Sequence, residues 1–183
     1  GYLAWGEGVL DRLRGMFAFA IWDREAKTVF GARDPFGIKP LFVTRLADGA
    51  VAFSSEKKAL LELLGGSKAA GGVDPASLQH YLTLQYVPEP GTLHTDIFRI
   101  ECGESFTWTP GGEVVRTRYY RPDFRPTPTD DPDALFARIR EALRESVALH
   151  LRSDVPVGAF LSSGIDSTAI VALAREHKPD ILT

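Results

Sequence analysis

Cysteine is nearly absent from these 183 residues, with Cys102 the only one. A single thiol excludes a disulfide framework and any zinc site built from several cysteines. It also favours a reducing compartment, so a cytoplasmic setting is expected. Long hydrophobic runs are missing too. The longest, residues 16–22, is far short of the ~20 residues a membrane-spanning helix requires. No charged-then-apolar leader opens the chain, and no membrane partner is expected. Charge of one sign is nowhere concentrated: the net charge is −3 and the basic residues are scattered. Nucleic-acid binding needs a basic face, so no nucleic-acid partner is expected. His80, His94, His150 and His177 lack metal-ligand spacing. There is no internal repeat and no low-complexity tract.

What is present reads as a globular protein. With 44% hydrophobic and 25% charged residues, the chain can bury a core and is not of disordered type. Its length suits one domain or parts of two. It opens on Gly1-Tyr2-Leu3 and closes on Asp180-Ile181-Leu182-Thr183, the latter reading as entry into a strand. Both ends are therefore expected to be interior to a longer polypeptide.

The first stretch is rich in strand signals. Residues 16–22 and 28–32 are strand candidates at hairpin spacing around Glu25-Ala26-Lys27. Residues 41–44 and 51–53 form a second pair, with Asp48-Gly49 for the turn. Ser54-Ser55 is expected to cap a short helix over 56–64, where Glu56 suits the positive N-terminal end. Residues 65–72 read as a loop. Asp74-Pro75 starts another helix, with proline at its first position and Leu78, Tyr81 and Leu82 as its apolar face. Thr107-Trp108 and Val114-Val115 flank Pro110-Gly111-Gly112 as a third hairpin. Residues 122–132 carry four prolines and three aspartates and form the best linker. Beyond it, Leu135, Phe136, Ile139, Leu143, Val147 and Leu151 recur at helical steps. That helix is expected to pack on a sheet, with Arg138, Arg140 and Arg144 on its solvated side. Residues 155–161 then read as a buried strand, 162–164 as a loop and 166–176 as a helix.

That last strand–loop–helix unit carries the chemistry. A helix N-terminus offers free N–H groups and partial positive charge to an anion. Small residues let backbone approach phosphate, and Ser162, Ser163 and Ser167 add hydroxyl donors. Asp166 would repel a phosphate unless Mg2+ bridged the two, since hard cations take both kinds of oxygen. A Walker loop is excluded because Ile165, not lysine, follows Gly164. A nucleophile elbow is excluded because Phe160 and Leu161 stand where its first glycine would be. Spacing alone leaves two readings open, a phosphate loop or a plain strand-to-helix turn with a serine cap.

Ser162-Ser163-Gly164-Ile165-Asp166-Ser167 resembles the Ser-Gly-Gly-x-Asp-Ser loop of pyrophosphatase-type ATP-binding enzymes. Its lead, Ser153-Asp154-Val155-Pro156-Val157-Gly158-Ala159-Phe160-Leu161, is similar to the version found in asparagine synthetases. Upstream, Leu13-Arg14-Gly15-Met16-Phe17-Ala18-Phe19-Ala20-Ile21-Trp22-Asp23 resembles the late glutaminase domain of that family. So do Ala32-Arg33-Asp34-Pro35-Phe36-Gly37-Ile38-Lys39-Pro40-Leu41 and Phe53-Ser54-Ser55-Glu56-Lys57-Lys58-Ala59-Leu60. One departure stands out: Ser163 occupies a position the family usually gives to glycine. A positive φ there would strain serine, or its hydroxyl would donate to phosphate.

The resemblance implies two partial domains of mixed α/β and α+β class. The end of an N-terminal-nucleophile-type αββα glutaminase sandwich comes first. The start of an adenine-nucleotide-binding, doubly wound parallel α/β domain follows. The implied divisions are 1–66 for the amidotransferase part, 67–128 for a connecting segment and 129–183 for the ATP-binding part. The implied reaction hydrolyses glutamine, activates aspartate with ATP as an aspartyl-adenylate and delivers ammonia to it, giving asparagine, AMP and pyrophosphate. The implied cofactors are ATP and Mg2+. By carry-over, Leu161 touches adenosine, Ser162, Ser163, Gly164 and Ser167 hold phosphate, and Asp166 holds Mg2+ and pyrophosphate. The implied partners are aspartate, glutamine and ATP, with a homodimer as one assembly state. The glutaminase nucleophile of such enzymes is an N-terminal cysteine. Cys102 is mid-chain and has no free α-amino group to act as its base, so it reads as a small buried hydrophobe. A relative acting on another carboxylate (β-lactam-forming or peptide-tailoring) and a catalytically dead nucleotide-binding homologue remain the alternatives. Residues 33–40 read as architecture, with Arg33 pairing Asp34 and the prolines and Gly37 stiffening a loop. Trp5, Trp22 and Trp108 read as core or domain-contact residues.

Overall fold

The computed structural model describes residues 1–125 and 131–183. Chain contacts divide it into two units, Gly1–Asp123 and Phe124–Thr183. The boundary falls in the proline-rich stretch expected to be a linker, of which residues 126–130 lie outside the described residues.

The first unit opens with a short helix, α1 (Tyr2–Trp5), and a 3-10 segment, Gly6–Arg12. Strands β1 (Ala18–Asp23) and β2 (Thr28–Arg33) form the expected hairpin, its turn held by Asp23, whose carboxylate accepts from the Glu25 and Ala26 amides at 2.9 Å each. Strands β3 (Phe42–Arg45) and β4 (Val51–Ser54) form the second hairpin. Helix α2 (Lys57–Leu64) follows, then α3 (Pro75–Leu84), β5 (Ile97–Arg99), β6 (Glu104–Trp108) and β7 (Val115–Arg118). Two antiparallel sheets result, of order β1-β2-β6-β7 and β4-β3-β5. Residues 67–123 thus complete both sheets, through β5 in one and β6 and β7 in the other.

Strand periodicity explains the layering. Phe19, Ile21, Phe30 and Ala32 face Val9, Leu10 and Tyr2 of the opening helical segment. Ala18, Ala20, Val29 and Phe106, on the opposite face, meet Leu41, Val43 and Ile100 of the second sheet. That sheet's outer face, through Phe42, Ala52 and Ile97, packs on Leu60, Leu61 and Leu64 of α2. The order of layers is helical segment, sheet, sheet, helix. Gly31 keeps β2 close to its neighbours: a Cβ there would run into the Phe106 ring and lie 2.9 Å from the Phe19 carbonyl oxygen.

Several local expectations change. The N-cap of α2 is Glu56 and makes no capping bond, while Ser54 Oγ accepts from the Glu56 amide at 3.1 Å. Helix α3 does begin at Asp74-Pro75, but Leu78, Tyr81 and Leu82 are exposed and Ser77 is its buried residue. Trp5 and Trp22 are also exposed, so neither is a core residue of this unit.

The second unit holds α4 (Pro132–His150) and α5 (Ile165–His177). Asp131 caps α4, accepting from the Ala134 amide at 3.0 Å, with Pro132 at the first position. Val147, Ala174 and Ile181 form its core, flanked by Leu151, Ala159 and Leu173. Only the last third of the α4 apolar stripe is therefore covered, and Leu135, Phe136, Ile139 and Leu143 are exposed. Arg144 is not simply solvated: it pairs with Glu176 of α5 at 2.8 Å. Residues 155–161 do not form the expected buried strand. Their pairing is a parallel bridge, Gly158 to Leu182, with the Ala159 amide donating to the Leu182 carbonyl at 2.8 Å. A lone parallel bridge buries neither face, and Val155 and Phe160 are 68% and 102% exposed. It is nonetheless the only parallel pairing among the described residues, in the sense an α/β domain requires. Mixed α/β and α+β character, divided between two units, is what the chain has. No helix among the described residues is long and apolar enough to cross a membrane.

Candidate functional site

The loop of interest is set by how α5 begins. Gly164 is its N-cap, with extended backbone (φ −78°, ψ 150°), and its carbonyl accepts from the Thr168 amide at 3.2 Å to start the helix. The first-turn N–H groups lack intrahelical acceptors and carry the positive end of the helix dipole. Asp166 lies in that first turn. Leu161 to Asp166 are all exposed and Ser167 is half-buried, so an anion can approach without rearrangement of a core.

Serines organise the loop. Ser162 Oγ and Ser167 Oγ are 2.8 Å apart and hydrogen-bonded. The Ser162 amide donates to Ser167 Oγ at 3.2 Å, and the Gly164 amide donates to Ser162 Oγ at 3.2 Å. Ser167 Oγ is also 3.0 Å from the Gly164 carbonyl oxygen and 3.1 Å from that of Ser162. Thr168, which the sequence reading passed over, donates its hydroxyl to the Gly164 carbonyl at 2.9 Å. Its signal was available, as a hydroxyl residue one turn past the cap. Ser163 is not among the positive-φ residues, so serine at this usual glycine position carries no backbone strain.

The residues present fit ATP with magnesium. Mg2+ keeps several waters and takes one or two carboxylates together with substrate phosphates. One exposed carboxylate, Asp166, beside unpaired helix N–H groups matches that demand. Among the described residues no cluster of three or more His, Cys, Asp or Glu offers an all-protein metal cage. Loop residues 161–167 thus lie together at one helix start, with donors and a carboxylate on the same short segment.

The turn at residues 33–40 has a different character. Arg33 and Asp34 are 5% and 1% exposed and do not pair with each other. Arg33 instead donates to the carbonyls of Lys39 (2.7 Å), Gly37 (2.6 Å) and Ile100 (2.7 Å) and pairs with Glu89 at 2.7 Å. Asp34 accepts from the Phe36, Ile38 and Lys39 amides at 3.2, 3.0 and 2.9 Å. Burial pushes the Asp34 carboxyl up, but the amides of Lys39, Ile38 and Phe36, with the Phe17 backbone, outweigh it and hold it below its ordinary value. Gly37 sits at φ +64°, where L side chains are disfavoured. The Arg33 and Asp34 side chains are both turned inward onto backbone groups, which is architecture. Glu89, the partner of Arg33 from 56 residues downstream, had no sequence signal because nothing local marks it.

Elsewhere in the first unit, a depression of about 590 Å3 is lined by residues including Met16, Phe19, Lys39, Leu41 and Phe53. Cys102 is outside that lining and half-buried, in the connection between β5 and β6.

Comparison with known proteins fits both units. Residues 1–120 match the glutamine amidotransferase domain family, and residues 138–183 match the asparagine synthase family. The chain is 51% identical to a putative glutamine-hydrolysing asparagine synthetase of Mycobacterium tuberculosis, covering 100% of this chain and 28% of that protein. It is 43% identical to glutamine-hydrolysing asparagine synthetase 1 of Bacillus subtilis, again over 100% and 28%. It is 33% identical to the glutamine-hydrolysing asparagine synthetase of Zea mays, over 96% and 24%. The chain thus spans 28% of the length of the first two of these relatives and 24% of the third.

Proposed function

The chain belongs to the glutamine amidotransferase domain family, and from that premise we propose that it acts within a cytoplasmic, glutamine-dependent asparagine synthetase that consumes ATP. The observation that carries this reading is the 161–167 loop: a serine-rich helix start with one exposed carboxylate, inside the stretch that matches asparagine synthase. In this reading residues 1–66 belong to the amidotransferase part, 67–128 lead from it while β5, β6 and β7 complete its two sheets, and 129–183 begin the ATP-binding part.

The chemistry asks for what this loop offers. A carboxylate is a poor acyl donor because its oxygen leaves poorly. Attack of the aspartate carboxylate on the α-phosphate of ATP makes an acyl-adenylate with a good leaving group, and pyrophosphate departs. Negative charge grows on that pyrophosphate, and preorganised N–H donors at a helix start stabilise it without reorganisation. Leu161 packs against the adenosine. Ser162, Ser163, Gly164 and Ser167 form the phosphate cradle. Asp166 holds the Mg2+ that, when bound, neutralises charge on pyrophosphate. Ammonia from glutamine then displaces AMP, giving asparagine.

The test is Asp166→Asn in the full-length protein. Aspartate-dependent pyrophosphate release should fall at least roughly a hundredfold, while glutamine hydrolysis is retained, because the carboxylate acts on transition-state charge. Pyrophosphate release at the parent rate would remove Asp166 from the mechanism.

A further inference from the structure

We propose that Lys57 and Arg99, on the outer face of the second sheet, form a binding site for a small oxyanion of carboxylate or phosphate type. The site lies in the first unit and does not depend on the reading of the 161–167 loop.

The sheet brings the two cations together. Ile97 and Arg99 stand two apart in β5 and point to the same side, the side on which α2 packs through Leu60, Leu61 and Leu64. Arg99 pairs in register with Phe42 of β3, and its guanidinium carbon lies 5.1 Å from the centre of the Phe42 ring. Phe42 pairs on its other flank with Ser54, three residues before Lys57 opens α2. Lys57 feels the Arg99 charge there: burial first, then Arg99, pushes its ammonium below its ordinary value.

The charges do not balance. Glu89 Oε1 serves both Arg33 (2.7 Å) and Arg99 (3.2 Å), and Glu89 is the only carboxylate that pairs with either among the described residues. Glu56, next to Lys57 in sequence, pairs with Lys58 at 3.1 Å. Lys57 itself makes no ion pair among the described residues, and the first turn of α2 holds no acidic residue. A half-buried ammonium beside a guanidinium is disfavoured twice, by lost hydration and by like charge.

Donors are left over as well. Arg99 gives Nη1 to Glu89, while Nε, on the fork that grips two oxygens of one anion, is buried without a partner. A buried donor with no acceptor is costly. His94 adds a second orphan: its Nε2 is 2.9 Å from Ser67 Oγ, and its Nδ1 is buried with no partner. Burial and the Lys57 charge hold the His94 imidazole below its ordinary value, so at neutral pH it adds no charge. An oxyanion held by Lys57 and the Nε–Nη2 edge of Arg99 supplies the missing charge and the missing acceptor together. Bringing Nε to the ligand takes a small outward slide of the guanidinium over the Phe42 ring, which the 27% exposure of the Arg99 side chain permits. A planar fork stacked on an aromatic ring is suited to such a two-oxygen grip.

The experiment is acylation footprinting of the full-length protein, with Lys57 and Lys58 read separately by tandem mass spectrometry. Lys58 is 83% exposed and is the internal reference. Inorganic phosphate should slow Lys57 acylation saturably, about threefold at twice its dissociation constant, and leave Lys58 unchanged. Acetate is the second probe. Protection by phosphate alone assigns a phosphoryl ligand, by acetate alone a carboxylate, and by both the chemistry they share. Arg99→Gln should abolish the protection. Should that variant fail to fold, Lys57→Gln carries the test: phosphate should raise the Tm of the parent more than that of Lys57→Gln, with any contribution of the 161–167 loop common to both. A Lys57 to Lys58 ratio unmoved by either probe, or moved equally by potassium chloride at matched ionic strength, overturns the site. An equal rise in Tm for parent and Lys57→Gln overturns it too.

Discussion

At the scale of single residues, Asp34 shows how a buried charge is tolerated. Among the described residues it forms no ion pair, and its carboxylate is surrounded by amide donors from the turn it organises. Hydrogen bonds to the charged form favour it, and that holds the carboxyl below its ordinary value against the opposing effect of burial. A depressed folded-state pKa contributes stability that is present above the unfolded value and lost as pH falls through the folded one. Asp34→Asn should therefore destabilise the first unit by about 2 kcal/mol at neutral pH, since amide donors lose their charged acceptor. Urea denaturation of parent and variant should converge as the pH falls below the ordinary carboxylate range. A gap that stays constant with pH would show that the charge on Asp34 is not what stabilises the turn. Tyr119 lies nearby and donates to the Arg33 carbonyl at 2.6 Å. Burial, with the charges of Asp34 and Cys102, pushes its hydroxyl up to about 12, so it stays a donor across the working range of pH.

At the scale of elements, caps decide where helices begin. Asp74 accepts from the Ser77 amide at 2.8 Å, and Pro75 occupies the first helical position. The bonds to Ser77 lower the Asp74 carboxyl. Asp74→Ala should lower the Tm of the first unit by a few degrees at neutral pH. By the same linkage, that difference should vanish in acid, where the parent cap is protonated. Circular dichroism melts across pH would read it, and a difference that grew in acid would refute the capping role. Helix α2 ends differently: Gly65 takes φ 87°, and the Gly65 and Gly66 amides close onto the carbonyls of Glu62 and Leu61.

At the scale of the whole molecule, the chain joins the two family matches in order, amidotransferase over residues 1–120 and asparagine synthase over 138–183. Its only cysteine is placed within the chain and outside the depression of the first unit. An amidotransferase that uses an N-terminal cysteine relies on a free α-amino group beside the thiol, which Cys102 lacks. The 183-residue polypeptide by itself should therefore release no glutamate from glutamine. An enzyme-coupled glutamate assay on the purified polypeptide checks this, and release that disappears with Cys102→Ser would overturn it.

Local signals were enough for hairpins and helix starts. Asp23, Asp74-Pro75 and Asp131-Pro132 act on their own neighbours within a turn or two, and alternation in β1 and β2 is written into consecutive residues. The 161–167 loop was legible for the same reason, as small residues at a helix start. Long-range pairing was not legible. Arg33 finds Glu89 across 56 positions, and β6 inserts beside β2, because those choices depend on which surfaces meet and not on the neighbours of either residue. Periodicity likewise marked the apolar faces of α3 and α4 without saying whether they are covered: Val147 is buried, while Phe136 on the same stripe is 65% exposed. The sequence by itself determined where chain direction changes and where a serine-rich loop meets the start of a helix. Only the tertiary structure decided which serines of that segment bond to each other, because a hydroxyl takes whichever partner the folded backbone brings within 3 Å.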